Sequence, residues 1–137
     1  MAVLVTGGAG YIGGHMVLAL LDAGEKVVVL DDLSTGFRSA VQHPAKLIVG
    51  DFGDMALLDN ILSEHKIDAI AHFAAKIVVP ESVADPLRYY LNNTSKARNL
   101  LNARCAIRLS ILYSPRPPRS MANPNKVPSA NRFRLRR

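Results

Sequence analysis

Three glycines near the start of the chain carry the first chemical signal. Gly7, Gly10 and Gly13 stand in Gly7-Gly8-Ala9-Gly10-Tyr11-Ile12-Gly13, directly after the apolar, β-branched run Ala2-Val3-Leu4-Val5-Thr6. A strand that ends in glycines at this spacing and reopens as a helix makes a dinucleotide-binding turn. Gly7 permits a tight turn off the strand, Gly10 has no Cβ to block a pyrophosphate, and Gly13 lets the helix lie close to the sheet. Tyr11 and Ile12 open that helix, whose unpaired N–H groups and partial positive charge suit phosphate oxygens. The second signal is Asp31, 18 residues after Gly13, at the end of Val27-Val28-Val29-Leu30. A carboxylate at that distance meets the hydroxyls of an adenosine ribose. Asp32 adds a second negative charge, and the pair repels a 2′-phosphate, so NAD is expected rather than NADP.

Regular elements must hold these groups in place. Tyr11 to Leu21 has helical spacing, with Ile12, Met16, Ala19 and Leu20 on one face and Gly24 closing the helix. Asp32, Leu33, Ser34, Thr35, Gly36 and Phe37 form a polar loop expected to wrap the adenosine end of the cofactor. Lys46 to Gly50 reads as a third strand running into Asp51 and Phe52. Met55 to His65 reads as a helix with Asp54 as its cap and Leu57, Leu58, Ile61 and Leu62 facing inward. Ile67 to Ala75 is a fourth strand ending in small residues. Asp85-Pro86 opens a further helix that carries Tyr89, Tyr90, Asn92, Asn93, Leu100 and Leu101. This order predicts an α/β fold, a partial Rossmann-type doubly wound parallel sheet with strands ordered 3-2-1-4 and a fifth strand near 107–113.

Composition narrows the class. The 137 residues suit one domain, with 49% hydrophobic and 20% charged residues, as in a globular protein. There is no apolar run long enough for a membrane span and no basic-then-apolar leader at the start. The single Cys105 excludes an internal disulfide and has no cluster of metal ligands around it, so no metal site is expected. These features point to the cytoplasm. His15 and His72 have no acid partner in the sequence and read as structural. The net charge of +6 is unevenly spread: residues 1–85 hold 5 Lys/Arg against 11 Asp/Glu, while residues 86–137 hold 12 Lys/Arg and no acid.

Several stretches together resemble one family. VLVTGGAGYIG, LDDLSTG, GDFGD, HFAAKIVVPESV, YYLNNTSK and NLLNA are similar to the N-terminal part of the UDP-glucose 4-epimerases. Those are extended short-chain dehydrogenases/reductases that interconvert UDP-glucose and UDP-galactose by transient hydride transfer to bound NAD. The similarity covers residues 1–103. It implies an NAD cofactor, a UDP-sugar substrate and, in many family members, a homodimer. Position by position, it places Gly7, Gly10, Tyr11, Ile12 and Gly13 on the pyrophosphate. Asp31 and the loop through Asp32, Leu33, Ser34 and Gly36 fall on the adenosine ribose, and Asp51 and Phe52 on the adenine. Phe73, Ala74 and Ala75 fall along the middle of the cofactor, with Asn92 in contact with it. The family often has a cofactor-contacting lysine four residues after the phenylalanine; Ile77 stands there in this chain, and Lys76 precedes it.

The family's chemistry also needs a Tyr-x-x-x-Lys pair, in which the lysine helps to hold a tyrosinate base. Tyr11, Tyr89, Tyr90 and Tyr113 are followed at that spacing by His15, Asn93, Thr94 and Pro117. No catalytic residue is therefore assigned, and the expectation is a truncated, inactive nucleotide-binding part. A non-catalytic dinucleotide-binding module, or a fragment of another nucleotide-sugar epimerase or dehydratase, is the alternative. Residues 104–137 form a basic, Pro/Arg-rich tail expected to be disordered, with 9 Lys/Arg but only Phe133 beyond Tyr113 to stack a base. A specific nucleic-acid partner is not expected from it.

The tail has a simple explanation in a shifted reading frame. Pro115 to Asn123 back-translates, one base earlier, to Ser-Ser-Thr-Ala-Ala-Val-Tyr-Gly-Glu, which resembles the family at this point. Ser129-Ala130-Asn131-Arg132 gives Val-Ser-Glu-Pro in the other frame, again family-like. The gene sequence tests this. Restoring one base between the codons for Ala103 and Ser114 is expected to recover an open epimerase frame; a frame that stays unrelated rejects the shift.

Overall fold

The alternation of apolar residues along the strands sets up two cores. β1 (Ala2–Thr6) and β2 (Lys26–Asp31) pair in parallel, with Val3 beside Val27 and Val5 beside Val29. Successive side chains of a strand point to opposite faces. Val3, Val5, Val27 and Val29 therefore cluster with Val17 on one face. Leu4, Val28 and Leu30 cluster with Leu58, Ile61 and Leu62 on the other. The computed structural model describes residues 1–107 and 111–113, with side chains as far as residue 103.

The remaining elements extend this frame. α1 (Tyr11–Asp22) covers the first face; α2 (Met55–Glu64) and α5 (Ala97–Ile107) cover the second. β3 (Lys46–Val49) lies outside β2, β4 (Ala69–His72) flanks β1 on its other side, and β5 (Ile111–Tyr113) follows β4. All pairs are parallel, and the order is β3-β2-β1-β4-β5. The expected 3-2-1-4 core is present, and a fifth strand, Ile111–Tyr113, falls within the expected window, whose first residue, Ile107, belongs to α5. Apart from that helix end and β5, the tail over 104–137 lies outside the described residues, so its expected disorder does too. Among the described residues, no helix is long and apolar enough to cross a membrane and no group of metal ligands assembles.

Three local features differ from the sequence reading. Of the expected inner face of α1, Met16 and Leu20 pack against the core, while Ile12 and Ala19 are exposed. Ile12 is 58% exposed, and Gly13 and Val17 are the buried positions. Close approach decides the rotation: a Cβ on Gly13 would sit 2.1 Å from the Gly7 carbonyl oxygen, so only this residue can face the turn. A short α3 (Val79–Ala84) stands where the valine-rich sequence gave no helix; Pro80 lies in its first turn, where proline is tolerated. The long helix after Asp85 is divided into α4 (Pro86–Tyr90), a π-helical turn (Leu91–Lys96) and α5. Asp54 caps α2 as expected, accepting from the Leu57 amide at 3.1 Å, and Asp85 likewise caps α4, accepting from the Arg88 amide at 3.1 Å.

Two outcomes follow from this packing. Gly13→Ala is expected to lower stability by about 3 kcal/mol in a denaturant titration, because the methyl group meets backbone that cannot yield. Its neighbour is the control, since a Cβ on Gly14 would find its nearest atom at 3.6 Å, and Gly14→Ala should leave stability unchanged or raise it. The second concerns pH. Burial holds the His72 imidazole below its ordinary value of 6.5, so it stays neutral beside Thr6 Oγ1, 2.7 Å from Nδ1. The unfolded chain takes up a proton that the folded chain resists, so this contribution is whole above the ordinary value and is lost as pH falls. Stability should drop by at most about 1.4 kcal/mol per pH unit from about pH 6.5 downward, and His72→Asn should flatten that part of the profile.

Candidate functional site

The glycine turn, the end of β2 and the end of β4 meet at one edge of the sheet. β1 ends at Thr6, and Gly7 turns with φ +74°, a conformation that suits a residue without Cβ. Its amide donates to the Leu30 carbonyl at 2.9 Å, and a Cβ here would strike the Phe73 carbonyl carbon at 2.6 Å. Gly7 thus lies pressed between β2 and the chain leaving β4. Gly10 differs: a Cβ would meet only the Gly7 carbonyl oxygen, at 3.4 Å, with open space beyond. Gly10 caps α1 without a side-chain hydrogen bond, and the first turn of α1 contains no acid. The helix therefore presents its first amides unsatisfied by any carboxylate of its own, the arrangement that attracts an anion.

Asp31 binds the two walls of this edge together. It is 8% exposed; Oδ2 accepts from the Ala9 amide at 2.9 Å, and Oδ1 accepts from the Leu33 amide at 2.8 Å. Two oxygens with about four acceptor positions keep two for a ligand. The loop after it folds back over the glycine turn. Phe37 N donates to the Ala9 carbonyl at 3.1 Å, and a Cβ on Gly36 would strike Ala9 at 2.7 Å. Leu33 adopts φ 59°, which the Asp31 contact holds in place. Asp32 accepts from the Ser34 amide at 2.9 Å. Burial alone would raise the Asp32 carboxyl, but the Ser34 hydrogen bonds and the charges of Lys76 and Lys96 outweigh it, so it titrates below the ordinary carboxylate value.

The opposite wall is the segment after β4. Asn92, 9% exposed, sends Nδ2 to the Ala74 carbonyl and to Asn93 Oδ1, both at 3.0 Å. Asn93 then pairs with the backbone of Lys76 at both ends: Oδ1 accepts from its amide at 2.9 Å and Nδ2 donates to its carbonyl at 2.8 Å. The Tyr89 hydroxyl accepts from the Val78 amide at 3.1 Å and donates to Glu81 at 3.2 Å. The segment over 74–78 lacks a sheet partner for these groups, and the helical side chains supply one. The π-helical turn brings Asn92 and Asn93 to it, a frequent role for such turns.

The result is a cleft of about 220 Å³. Of the residues expected from the sequence, Gly7, Gly10, Asp31, Asp32, Ser34, Phe52, Phe73, Ala74, Ala75 and Asn92 line it. Tyr11, Ile12 and Gly13 form the helix start, while Leu33 and Gly36 do not line the cleft but pack on Asp31 and Ala9. Asp51 does not line the cleft. It lines a second groove with Gly53, Lys96 and Asn99, where Oδ1 accepts from the Gly53 amide at 2.7 Å and Oδ2 pairs with Lys96, while its chain neighbours Gly50 and Phe52 line the cleft. Among the described residues, Lys76 is the one cation on the lining, with Ile77 next to it. Sequence reasoning did not assign Asn93, Tyr89, Lys76 or Lys96 to the site. The doubled Asn92-Asn93 was the one local signal for the clamp.

The family pattern described as NAD dependent epimerase/dehydratase matches residues 3–116. A UDP-glucose 4-epimerase of Azospirillum brasilense is 54% identical over 101 residues, covering 74% of this chain and 29% of the relative. The UDP-glucose 4-epimerase of Brucella ovis, solved in complex with NAD, superposes with a TM-score of 0.79 at 41% identity, covering 82% of this chain and 34% of that one. The enzyme of Thermotoga maritima, solved with UDP-glucose, superposes with a TM-score of 0.80 at 32% identity, covering 83% of this chain and 37% of that one. The chain thus spans about a third of the length of the relatives it matches. On the family match over residues 3–116, and with these relatives alike in sequence and fold, this chain belongs to the NAD dependent epimerase/dehydratase family.

Proposed function

We propose that this chain is the nucleotide-binding part of a UDP-hexose 4-epimerase and holds the adenosine diphosphate half of NAD in the cleft. The single observation that carries the reading is the Asp31 carboxylate, buried between the glycine turn and the following loop with acceptor capacity to spare. Gly7, Gly10, Tyr11, Ile12 and Gly13 would receive the diphosphate. Asp31 and the loop over 32–36 would receive the adenosine ribose, and Phe52 at the cleft, with Asp51 next to it in the chain, would receive the adenine. Phe73, Ala74, Ala75 and Asn92 would flank the middle of the cofactor. The residues present fit the group, because a side chain at Gly10 would fill the space where no protein atom now stands.

When bound, NAD supplies a hydride acceptor for a sugar hydroxyl carbon. In this chain no Tyr-x-x-x-Lys pair accompanies it. The 137-residue chain is therefore read as binding cofactor without turning over a UDP-sugar. Residues 1–103 form the binding unit in this reading, and the basic segment over 104–137 adds no specific partner.

Titration calorimetry on the full chain should show one NAD site, with NADP weaker by about tenfold or more because Asp31 and Asp32 face the added phosphate. Gly10→Val should remove the heat of NAD binding while leaving the far-ultraviolet spectrum intact. An absence of NAD binding, or equal binding of NADP, would overturn the proposal. Measurable conversion of UDP-galactose by the purified chain would overturn the reading as inactive.

A further inference from the structure

Lys96 ends the π-helical turn and reaches across the chain to the loop after β3. Its ammonium pairs with Asp51 Oδ2 and stands 6.0 Å from the centre of the Phe52 ring. Its stem lies flat over Gly53. A Cβ at that position would meet Lys96 Cγ at 2.6 Å, Cδ at 2.9 Å and Cβ at 3.1 Å. One helical turn on, Asn99 donates to the Gly53 carbonyl at 2.9 Å. The loop at 51–54 is thus tied to the helix by two side chains, and the missing side chain of Gly53 is what makes room for the first.

This juxtaposition concerns the end of the cleft where Phe52 stands. Asp51 has one oxygen on the Gly53 amide and the other on Lys96, so its carboxylate is held at both oxygens by the same loop-to-helix contact. Each oxygen still has a lone pair free for one further donor. A 6-amino purine carries such a donor; a 6-oxo purine presents an acceptor there and is repelled by a carboxylate.

We propose that Lys96 is a positioning residue for Asp51, whose ion pair orients the carboxylate so that the site prefers a 6-amino over a 6-oxo purine nucleotide. The proposal rests on the reading that the adenine of NAD docks at residues 51–52. The pair is partly exposed, with 26% of the Lys96 side chain and 45% of the Asp51 side chain open to solvent. Its effect is therefore modest in size and specific in kind.

The test titrates the full chain with NAD and with deamino-NAD, in which hypoxanthine replaces adenine. The unmodified chain should prefer NAD. Lys96→Met should lower that preference by about threefold to fivefold, the scale of a partly exposed ion pair, without a matching loss of thermal stability. Lys96→Arg should restore it. Gly53→Ala, which displaces the lysine stem, should lower the preference in the same way, and the double variant should be no worse than Lys96→Met alone. A Lys96→Met chain that keeps the full preference, or that loses both ligands in equal proportion, would overturn the proposal, as would an unmodified chain that binds both ligands equally. A chain that binds neither ligand would instead remove the cofactor reading on which the proposal stands.

Discussion

One carboxylate holds the two sides of the cleft in register. Asp31 ends β2 with both oxygens turned back into the protein, one on the glycine turn and one on the loop that follows. A charged group with so little exposure is costly unless hydrogen-bonded, and both donors are backbone amides that would otherwise lack a partner at a turn. The position of Gly10, the path of the loop over 32–37 and the close seat of Gly36 against Ala9 all depend on this contact. The sheet sets where β1 and β2 end; Asp31 then decides how the two segments leaving it stand to one another.

The opposite wall is held by a different device. Beyond His72 the chain leaves the sheet, and its backbone groups need new partners. Asn92, Asn93 and Tyr89 provide them from the helix that packs alongside. The helix is in turn fixed to the core by Leu100 and Ala103, and to the loop after β3 by Lys96 and Asn99. Every wall of the cleft thus leads back to the same sheet. A substitution in the helix after Asp85 can alter the cleft without touching a ligand.

Sequence alone revealed the parts of this arrangement that the backbone dictates. Gly7, Gly10 and Gly13 were legible because a tight turn, an open cradle and a close helix each exclude a side chain. Asp31 was legible because its distance from the turn is set by one helix and one strand. The face of α1 was misjudged because hydrophobicity favoured Ile12, whereas contact with the turn required the smallest residue, Gly13. α3 was missed because a six-residue segment with two valines and a proline carries no helical apolar period. Lys76 and Lys96 could not be read from local spacing, and Asn93 only from its doubling with Asn92. Asn93 lies 17 residues from its partner and Lys96 lies 45, so only the folded chain brings them together. Asp51 sits at the expected strand end, and its contact with Lys96 from the distant helix was not legible in the sequence.

A crystal structure of this chain grown with NAD tests the central claim most directly. The account predicts the diphosphate against the first amides of α1, with an adenosine ribose hydroxyl donating to Asp31 while the carboxylate keeps its contacts to Ala9 and Leu33. A nucleotide bound elsewhere, or an Asp31 that turns away from the ribose, would contradict it.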